Sequence, residues 1–577
     1  MFNALVYDQD GNTWLQFRDP IEVQSAWRPE DMKGLLQFVD KASARGNYAV
    51  GYVSYEAASA FDPALTHFDP ESRPLATFAI YDVAHPGVLS GGAVDLDLSP
   101  TINRADFESS IARVKNYLCE GDSYQVNFTH QLKGTVHSEP LDVFSHLFRA
   151  QPSPYAAFID TDDFSICSVS PELFFETDGS HIRTEPMKGT RPRGRFSEED
   201  ARLKQELISS EKDRAENLMI VDMVRNDLGR IAEPGTVVTK RMFSVKRLPT
   251  VWQQISSVEA KTTASLDQIF EAIFPCASVT GAPKTRTMEI IRELETEPRG
   301  VYTGAIGLVK PGRKARFSVA IRTLTIEKPT HAASYGVGGG IIWDSDAGEE
   351  WQECLTKAAV LTFQRPEFEL LETMRYEPEQ GIYLLAGHLE RLRQSAEYFM
   401  FRCDIDSIAR DLETIASDKT VRLRLILAKD GKTNIECMQM PQRIEEVRLK
   451  IAERPVDSSN VFLLHKTTHR KVYEQALQDV SDCDDVILWN ERGELTETTI
   501  SNLYLEINGE LLTPARESGL LAGTYRQKML EEGSARETIL MKDDLYRASR
   551  ILVSNSVRDL VEATLINDIG GKGGSNT

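Results

Sequence analysis

Short hydrophobic runs and turn-forming residues alternate over residues 1 to about 95. Runs such as ALVYD, YAVGYVSYE and ATFAIYDV have the length and composition of β-strands, and turns that contain proline or glycine separate them. Helical patterns come later, as in ARLKQELISSEKDRAENLMIVDMVRNDL and EEWQECLTKAAVL, with strand-like runs such as ARFSVAIRTLTI between them. This order predicts an α+β fold rather than a repeating β-α-β arrangement.

A domain boundary is predicted close to Pro366. The helical pattern that begins near Glu349 ends at Thr362, and proline disfavours helix in the residue before it. No internal repeat is evident between the parts of the chain on the two sides of this boundary. The predicted division is 1–106, a strand-rich part of the first domain; 107–363, its core; 364–367, a linker; 368–569, a second domain; and 570–577, a flexible glycine-rich tail.

Composition and charge argue against several classes of protein, among them nucleic-acid-binding and membrane proteins. The 577 residues include 66 basic and 87 acidic side chains, a net charge of -21, which argues against a nucleic-acid or anionic-membrane partner. The seven cysteines are scattered without a CxxC pair, as in a chain with reduced thiols. The start lacks a basic region followed by an apolar run, and no stretch approaches about eighteen apolar residues. We therefore expect a cytoplasmic protein.

Two helical patterns carry acidic residues beside apolar stripes. The stripe of the first consists of Leu218, Val221, Val224 and Leu228, with Glu216 on another face. In the second, Glu350, Glu353 and Lys357 are spaced by three and four and share a face. A solvated charged face explains these residues. Carboxylates that converge on Mg²⁺ explain them too, since Mg²⁺ favours one or two carboxylates plus ligand oxygens.

The segment CASVTGAPKTRTMEIIRELE has the features of a helix start. Ser278 and Thr280 are cap candidates, Gly281 allows close approach, and Pro283 is expected near the first turn. Such a helix start presents free N–H groups to a carboxylate. A plain capped helix is the commoner explanation of such a segment.

Several motifs follow one another in a characteristic order: GDSYQVNFT, SPELFF, PMKGTRPRG, KDRAENLMIVDMVRNDLGRI, SVTGAPK, VYTGAIG, FSVAIRT and GGGIIWDSDAGEEWQE. In this order the chain resembles the chorismate-utilising enzymes over about residues 107 to 362. The family includes anthranilate synthase, isochorismate synthase and aminodeoxychorismate synthase component I. The resemblance implies an anthranilate synthase component I-like β-sandwich with helices.

The same resemblance implies a set of site residues. The Mg²⁺ ligands would be Glu216 and Glu353, with Glu350 as a helper. The enolpyruvyl carboxylate of chorismate would contact Arg322, Tyr302 and the backbone of Gly338, Gly339 and Gly340, and the substrate would also face Ser278, Thr280 and Gly281. Chorismate is a dianion, so one carboxylate on a metal and the other on a guanidinium would fix its orientation.

Two positions distinguish members of the family, and a third departs from the pattern of many relatives. Gln125 stands where isochorismate synthases have a water-activating lysine. Lys188, in PMKGT, is typical of aminodeoxychorismate synthases, whereas anthranilate synthases read roughly PIAGT. In the former enzymes this lysine attacks ring C2 as the C4 hydroxyl leaves, and Glu172 is the matched general acid. Gln253 replaces a histidine of many relatives, so we expect of it at most a hydrogen bond.

The chain has no sequence match to a class I glutaminase. Such an enzyme needs a cysteine in a Gly-x-Cys-x-Gly turn, and none of the seven cysteines lies in one. We therefore expect ammonia to come from a separate glutamine amidotransferase subunit.

From residue 368 the motifs FELLETMRY, HLERLRQSAEYF, HKTTHRKVYEQA, TETTISNLYL and LLAGTYRQ resemble the fold-type IV pyridoxal-phosphate enzymes. These include branched-chain aminotransferases, whose α+β fold is implied here, and aminodeoxychorismate lyase. By this resemblance Lys466 is the Schiff-base lysine, Glu497 pairs with the pyridine nitrogen, and Arg391 binds the phosphate. The backbone of Gly523, Thr524 and Tyr525 would hold the phosphate as well. Enzymes of this type usually form homodimers through this domain.

The two resemblances together imply a bifunctional enzyme that makes 4-aminobenzoate from chorismate, with Mg²⁺ and pyridoxal 5'-phosphate as cofactors. The first domain would aminate chorismate at C4, and the second would eliminate pyruvate from the product. Two alternatives remain at this point. The chain could join an anthranilate synthase-type enzyme to an aminotransferase, or the second domain could be a non-catalytic scaffold.

Overall fold

The computed structural model describes residues 2–70, 73–92, 94–363 and 366–566. Over these residues the chain divides into two compact units. The first unit comprises Met1–Pro192 and Lys204–Arg365, and the second unit comprises Arg193–Leu203 and Pro366–Thr577. The predicted tail 570–577 and the first two residues of the predicted linker, 364 and 365, lie outside the described residues. No helix in the described ranges is both long enough and apolar enough to cross a membrane.

Some strands are buried on both faces, as Ala76–Tyr81 and Phe164–Ser170 are, and the described part of the first unit contains twenty strands in all. In chain order they are β1 (Phe2–Asp8), β2 (Thr13–Phe17), β3 (Glu22–Ala26), β4 (Tyr48–Val53), β5 (Ala76–Tyr81), β6 (His85–Gly87), β7 (Asp97–Pro100), β8 (Gln125–Thr135), β9 (Tyr155–Thr161), β10 (Phe164–Ser170), β11 (Leu173–Thr177), β12 (His181–Glu185), β13 (Met187–Pro192), β14 (Val238–Arg247), β15 (Val251–Lys261), β16 (Gly281–Ala282), β17 (Ala305–Lys310), β18 (Lys314–Val319), β19 (Thr323–Glu327) and β20 (Ala332–Ile341).

These strands form two large sheets, one with the order β16-β8-β20-β19-β10-β9-β1-β2-β6 and the other with the order β13-β15-β12-β11-β18-β17-β4-β5-β3. Strand β7 adds to β8 and β14 to β15. One hydrophobic cluster takes side chains from both sheets, among them Phe17, Tyr52, Tyr81 and Ile166. Burial of each such side chain is worth about 1.5–3 kcal/mol, so this layer holds the sheets together as a sandwich.

Helices of the first unit cover the two sheets and build separate clusters with them. Their bounds are α1 (Pro29–Ala44), α2 (Ala58–Phe61), α3 (Arg104–Cys119), α4 (Pro140–Ala150), α5 (Ser197–Ser209, which begins in the second unit), α6 (Glu211–Gly229), α7 (Leu266–Ile273), α8 (Lys284–Leu294) and α9 (Ala347–Ala358). Single 3₁₀ turns occur at Tyr55–Ala57, Ala277–Val279 and Ala359–Leu361.

Two sequence-based expectations about these helices are wrong in detail. The continuous pattern before Gly229 is broken at Ser210, whose hydroxyl accepts a hydrogen bond from the Asp213 N–H at 3.2 Å and caps α6. On α6, Leu218 is 44% exposed rather than part of the apolar stripe. The buried face instead includes Asn217, which accepts a hydrogen bond from Ser256 on β15.

The second unit contains a smaller and a larger sheet. Its strands are β21 (Leu370–Glu377), β22 (Gly381–Ile382), β23 (Val421–Leu427), β24 (Thr433–Gln439), β25 (Glu446–Ile451), β26 (Asp485–Trp489), β27 (Leu495–Thr498), β28 (Asn502–Ile507), β29 (Glu510–Pro514), β30 (Arg536–Thr538), β31 (Arg550–Asn555) and β32 (Asp559–Leu565). Its remaining helices are α10 (Leu385–Phe399), α11 (Ile405–Glu413), α12 (Lys471–Gln478) and α13 (Thr524–Glu531), with 3₁₀ turns at Val461–Leu463, Arg516–Ser518 and Lys542–Tyr546.

The smaller sheet has the order β22-β21-β23-β24, and helices α10 and α11 share its hydrophobic cluster. The larger sheet has the order β27-β26-β25-β32-β31-β28-β29-β30. A further pairing of β27 with β28 closes six of these strands into a ring. Both units therefore mix sheets and helices, which confirms the predicted α+β class.

Candidate active sites

Lys188 lies on β13 of the first unit, against α6. Its Nζ is 3.6 Å from a carboxylate oxygen of Glu216, and both side chains are largely buried. A Cβ atom built on Gly340 would lie 2.5 Å from the same Nζ. The amine therefore rests directly against the backbone of β20, where the missing side chain of Gly340 leaves room for it.

Gln125 shares this pocket with Lys188. Its side chain is fully buried, and a Cβ atom on Gly340 would lie 2.9 Å from its Nε2. Within the described residues neither its amide nitrogen nor its amide oxygen has a hydrogen-bond partner. Buried polar atoms are normally satisfied, so an amide of this kind fits a position that contacts a polar ligand.

Glu172 is a buried carboxyl group that follows β10. One of its oxygens accepts a hydrogen bond from the Ser278 hydroxyl at 2.7 Å. Burial raises the pKa of Glu172 to about 7, although the charges of Lys188 and Lys357 act in the opposite direction. A carboxyl group that keeps its proton close to neutral pH is suited to act as a general acid.

Helix α9 brings two carboxylates and a lysine to the same glycine-rich strand. A Cβ atom on Gly339 would lie 3.0 Å from an oxygen of Glu350, which accepts a hydrogen bond from Ser345 at 2.7 Å. The Lys357 ammonium is 2.6 Å from Glu353 and donates to the Gly338 carbonyl at 2.6 Å. Lys357 was not predicted as a site residue, although its spacing of four from Glu353 was the available signal.

The three acidic residues expected to bind Mg²⁺ have a chemistry that fits this ion. Burial, with the nearby charge of Glu353, raises the pKa of Glu350. Burial also opposes ionisation of Glu353, but the nearby positive charges, that of Lys357 first, outweigh it and lower the pKa of Glu353. In the described ranges no three His, Cys, Asp or Glu side chains form a metal cage. Mg²⁺ does not need one, since it takes one or two carboxylates and completes its shell with water and substrate oxygens.

The segment before α8 differs from the expected helix cap. The helix begins at Lys284, and neither Ser278 nor Thr280 caps it. Ser278 instead donates to Glu172, and the Thr280 hydroxyl donates to the Cys276 carbonyl at 3.0 Å. The reason is that Gly281 and the following residue pair with β8 as strand β16, which separates the polar side chains from the helix.

The residues expected around the enolpyruvyl group lie at the same end of β20. Arg322 has a positive φ of 52° and donates to the Lys357 carbonyl at 2.7 Å. The ring of Tyr302 is buried, and a Cβ atom on Gly336 would lie 2.2 Å from it. Gly281 has a φ of 151°, and a Cβ atom there would lie 1.9 Å from the Gln125 carbonyl oxygen. Glycine at 281 and 336 is thus required for close approach.

Gln253 holds the strand that carries Lys188. Its amide nitrogen donates to the Gly189 carbonyl at 2.9 Å, and its amide oxygen accepts from the Thr190 hydroxyl at 3.0 Å. Both partners follow Lys188 directly on β13. The hydrogen-bonding role expected for this residue is therefore what the structure contains.

Lys466 lies in the second unit, between a 3₁₀ turn and α12. Its carbonyl accepts a hydrogen bond from the Leu371 N–H at 3.0 Å, which fixes the loop to β21. Burial lowers the pKa of Lys466 to about 8, and the charge of Arg391 acts in the same direction. A buried amine with a lowered pKa is a better nucleophile near neutral pH than an exposed lysine.

Glu497, on β27, is buried in the same unit. It accepts hydrogen bonds from the Tyr473 hydroxyl at 2.8 Å and from the Leu521 N–H at 3.1 Å. Burial raises the pKa of Glu497 to about 7. Burial disfavours the charged form of this carboxyl group. A protonated pyridine nitrogen beside it would supply a positive charge that stabilises the carboxylate.

Arg391 belongs to a buried network that the sequence did not predict. Its guanidinium makes two hydrogen bonds to Glu372, at 2.8 and 2.6 Å, and a third to the Ala522 carbonyl at 3.2 Å. His388 contacts Glu372 at 2.7 Å and the Thr524 hydroxyl at 3.3 Å. The sequence signals for this network were Glu372, the second glutamate of FELLE, and His388, three residues before Arg391. This network places the arginine beside the start of α13.

Helix α13 begins at Thr524, so the N–H groups of Thr524 and Tyr525 have no acceptor within the helix. The Gly523 N–H, in contrast, donates to the Asn502 side chain at 3.1 Å and is not available to a phosphate. Pyridoxal phosphate is bound by groups of these kinds. A helix start and an arginine suit its phosphate, a buried lysine its aldehyde, and a buried carboxyl group its pyridine nitrogen. The residues of the second unit therefore fit this cofactor.

Comparison with known protein families divides the chain in the same place. Residues 83–363 match the family described as chorismate binding enzyme, and residues 369–566 match the family described as amino-transferase class IV. The chain thus consists of a chorismate-binding enzyme domain followed by an amino-transferase class IV domain. Both predicted resemblances are confirmed at this level.

Individual relatives of the first domain carry two different names. Aminodeoxychorismate synthase component 1 of Klebsiella aerogenes is 41% identical over 258 residues, which are 44% of this chain and 57% of that protein. Anthranilate synthase component 1 1 of Haloarcula marismortui is 40% identical over 262 residues, 45% of this chain and 53% of that protein. The chain spans about half the length of the curated relatives it matches.

A solved structure supports the fold of the first domain. The crystal structure of anthranilate synthase component I from Streptococcus pneumoniae is 25% identical, with a TM-score of 0.53. The match covers 63% of this chain and 92% of that structure. The predicted anthranilate synthase component I-like fold is confirmed.

Proposed function

We propose that this chain makes 4-aminobenzoate from chorismate in two steps, amination at C4 and elimination of pyruvate. The observation that carries the proposal is the position of the Lys188 amine. It rests against Gly340, beside the orphaned amide of Gln125 and 3.6 Å from Glu216. An amine in that position, with the protonated Glu172 acting on the same pocket, suits attack on the ring with acid-assisted departure of a hydroxyl group.

Substrate binding in the first step combines the charges of the site. Glu216, Glu353 and Glu350 would hold Mg²⁺, which would neutralise one carboxylate of chorismate. Arg322 would bind the enolpyruvyl carboxylate beside the Tyr302 ring. Two anchored carboxylates fix the ring in one orientation, so that C2 faces the lysine.

The amination then proceeds through the chain's own side chains. The Lys188 amine forms a bond to C2 as the C4–O bond breaks, and Glu172 gives its proton to the departing hydroxyl, which leaves as water. Ammonia forms a bond to C4, and the C2–N bond to the lysine breaks. The lysine is restored, the new C4 ammonium group returns a proton to Glu172, and the net change is replacement of the hydroxyl group by an amino group, with release of water.

The second step takes place in the second unit. Pyridoxal phosphate, when bound, would supply an electron sink for charge that develops at C4. Arg391 and the start of α13 would orient its phosphate, and Glu497 would pair with its ring nitrogen. Lys466 would take the proton from C4, and pyruvate would leave from the adjacent C3. Aromatisation of the ring drives this elimination.

The test is product analysis with the full-length chain, chorismate, Mg²⁺ and an ammonium salt, with and without pyridoxal phosphate. We expect 4-aminobenzoate and pyruvate only when pyridoxal phosphate is present, and 4-amino-4-deoxychorismate without it. Ammonium replaces a separate glutamine amidotransferase, so glutamine alone should support no product. Product from glutamine with this chain alone would contradict the proposed need for a second subunit.

A second candidate function is favoured by the relatives named anthranilate synthase, which match at nearly the same identity. In that case the first unit would aminate C2 and release 2-aminobenzoate. The same product analysis separates the two, since 2- and 4-aminobenzoate differ in retention and fluorescence. A 2-amino product would favour the second candidate over the proposal made here.

A further inference from the structure

The second unit includes a short stretch from the middle of the chain. Residues 193–203, here called the 193–203 segment, cluster with residues 366–577 rather than with their neighbours in sequence. The segment begins directly after β13, the strand that carries Lys188. The predicted domain boundaries did not assign it to the second domain.

The segment is held in a fixed shape by its own side chains. The Arg193 guanidinium makes two hydrogen bonds to the Asp200 carboxylate, both of 2.8 Å. The same carboxylate accepts a hydrogen bond from the Gly194 N–H at 2.9 Å. A Cβ atom on Gly194 would lie 2.1 Å from the Asp200 nitrogen, so the turn is closed tightly around this glycine. A buried, bidentate pair of this kind gives the segment a single conformation.

The segment is also anchored on the rest of the second unit. The Arg193 guanidinium lies 4.6 Å above the ring of Tyr398 on α10. Arg195 donates from one nitrogen to two carbonyl oxygens, those of Ser458 and Glu517, each at 3.1 Å. These contacts join it to three separate parts of the unit.

A contact with His465, the residue before Lys466, joins the 193–203 segment to the lysine loop. The Nε2 atom of His465 is 3.1 Å from the Arg195 carbonyl oxygen, and Nδ1 is 2.9 Å from the Ser395 hydroxyl. A carbonyl only accepts, so Nε2 carries the hydrogen and Nδ1 accepts from the serine. The imidazole is buried and stacks on Tyr398 at 4.5 Å. Both ring nitrogens and one ring face are therefore fixed.

We infer that the 193–203 segment, through the Arg195 carbonyl and His465, positions Lys466 for the coenzyme. Arg195 and His465 are positioning residues, since they act through the backbone of the lysine loop and not on the substrate. On one side the Lys466 carbonyl is bound by Leu371 N–H, and on the other the loop is held by His465. The inference rests on the proposed cofactor of the second unit and extends it.

The test uses the full-length chain and four variants. His465→Phe keeps the ring but removes both hydrogen bonds, whereas His465→Gln keeps an N–H donor for the Arg195 carbonyl. His469→Phe is the matched control, because His469 also flanks Lys466 and its ring contacts Phe462 at 4.6 Å instead. Arg195→Ala removes the anchor of the segment. The measurements are the dissociation constant of pyridoxal phosphate and the pH midpoint of the absorbance of the lysine-bound coenzyme.

We expect His465→Phe and Arg195→Ala to weaken coenzyme binding about tenfold or more, the usual effect of losing a buried hydrogen bond, and to shift the pH midpoint. His465→Gln should stay within about threefold of the parent, and His469→Phe within about twofold. Thermal unfolding identifies any variant that fails to fold. If His465→Phe is such a variant, the test rests on Arg195→Ala, which should weaken coenzyme binding, and on His465→Gln, which should stay close to the parent.

The outcomes distinguish failure of this inference from failure of the proposed function of the second unit. If the parent chain binds the coenzyme at Lys466 and His465→Phe or Arg195→Ala behaves like His469→Phe, the inference is overturned while the proposed function stands. If the parent chain forms no lysine-bound coenzyme at all, the proposed function of the second unit fails and the inference fails with it.

Discussion

Replacement of Glu172 by glutamine tests stability and catalysis at the same atom. The Glu172 carboxyl is 4% exposed, and burial raises its pKa from 4.5 to about 7. Because the pKa in the folded chain is the higher one, the stability that the protonated group contributes is complete below pH 4.5 and is lost as the pH rises through 7. The shift corresponds to about 3 kcal/mol.

Glutamine has nearly the same shape, keeps an oxygen that can accept from Ser278, and carries no charge. We therefore expect Glu172→Gln to be more stable than the parent by up to about 3 kcal/mol above pH 7, with little difference at acidic pH. The amination rate should fall about 10²- to 10⁴-fold, because the amide cannot give up a proton. In the parent the rate should decline as the pH rises through about 7.

Urea unfolding at several pH values measures the first effect. Five of the six tryptophans (Trp14, Trp27, Trp252, Trp343 and Trp351) lie in the first unit, so tryptophan fluorescence reports mainly on that unit. Glu120→Gln, an exposed glutamate at the end of α3, is the control and should change neither stability nor rate. A stability difference between Glu172→Gln and the parent that is independent of pH, or amination of chorismate by Glu172→Gln at the parental rate, would contradict the roles given to this carboxyl group.

Three further predictions concern the other charged groups. Lys188→Ala should abolish C4 amination while calorimetry still detects chorismate binding, and a near-parental rate would exclude this nucleophile. Lys466→Ala should lose the visible absorbance of bound pyridoxal phosphate and release no pyruvate, yet aminate chorismate normally; retained absorbance would point to another lysine. Glu353→Ala should weaken Mg²⁺ activation about tenfold or more, measured as the Mg²⁺ concentration that gives half-maximal amination, and an unchanged value would exclude it as a ligand.

The order of motifs was sufficient to predict both domain classes, and several of the candidate site residues that it indicated lie together in the structure. Lys188, Glu216 and Gln125 converge in the structure although 28 to 91 residues separate them in sequence. Periodicity alone could not have brought them together, because it reports one face of one element. The resemblance to a family supplied the long-range pairing that local patterns lack.

Details that depend on tertiary contacts were missed. The cap role considered for Ser278 is wrong, because a helix cap and a hydrogen-bond donor to a distant carboxyl group have the same sequence signature. Lys357 and Glu372 looked like ordinary charged residues, since only the fold shows what they face. The assignment of the 193–203 segment to the second unit left no local sequence signal either, because its arginines are typical of an exposed loop.

The position of the new nitrogen on the ring tests amination at C4 most directly. Full-length chain incubated with chorismate, Mg²⁺ and ¹⁵N-ammonium can be followed by NMR without added pyridoxal phosphate. We expect ¹⁵N bonded to C4 of a ring that still bears its enolpyruvyl ether, and no such product from Lys188→Ala. Label at C2, or label at C4 formed equally well by Lys188→Ala, would contradict this expectation.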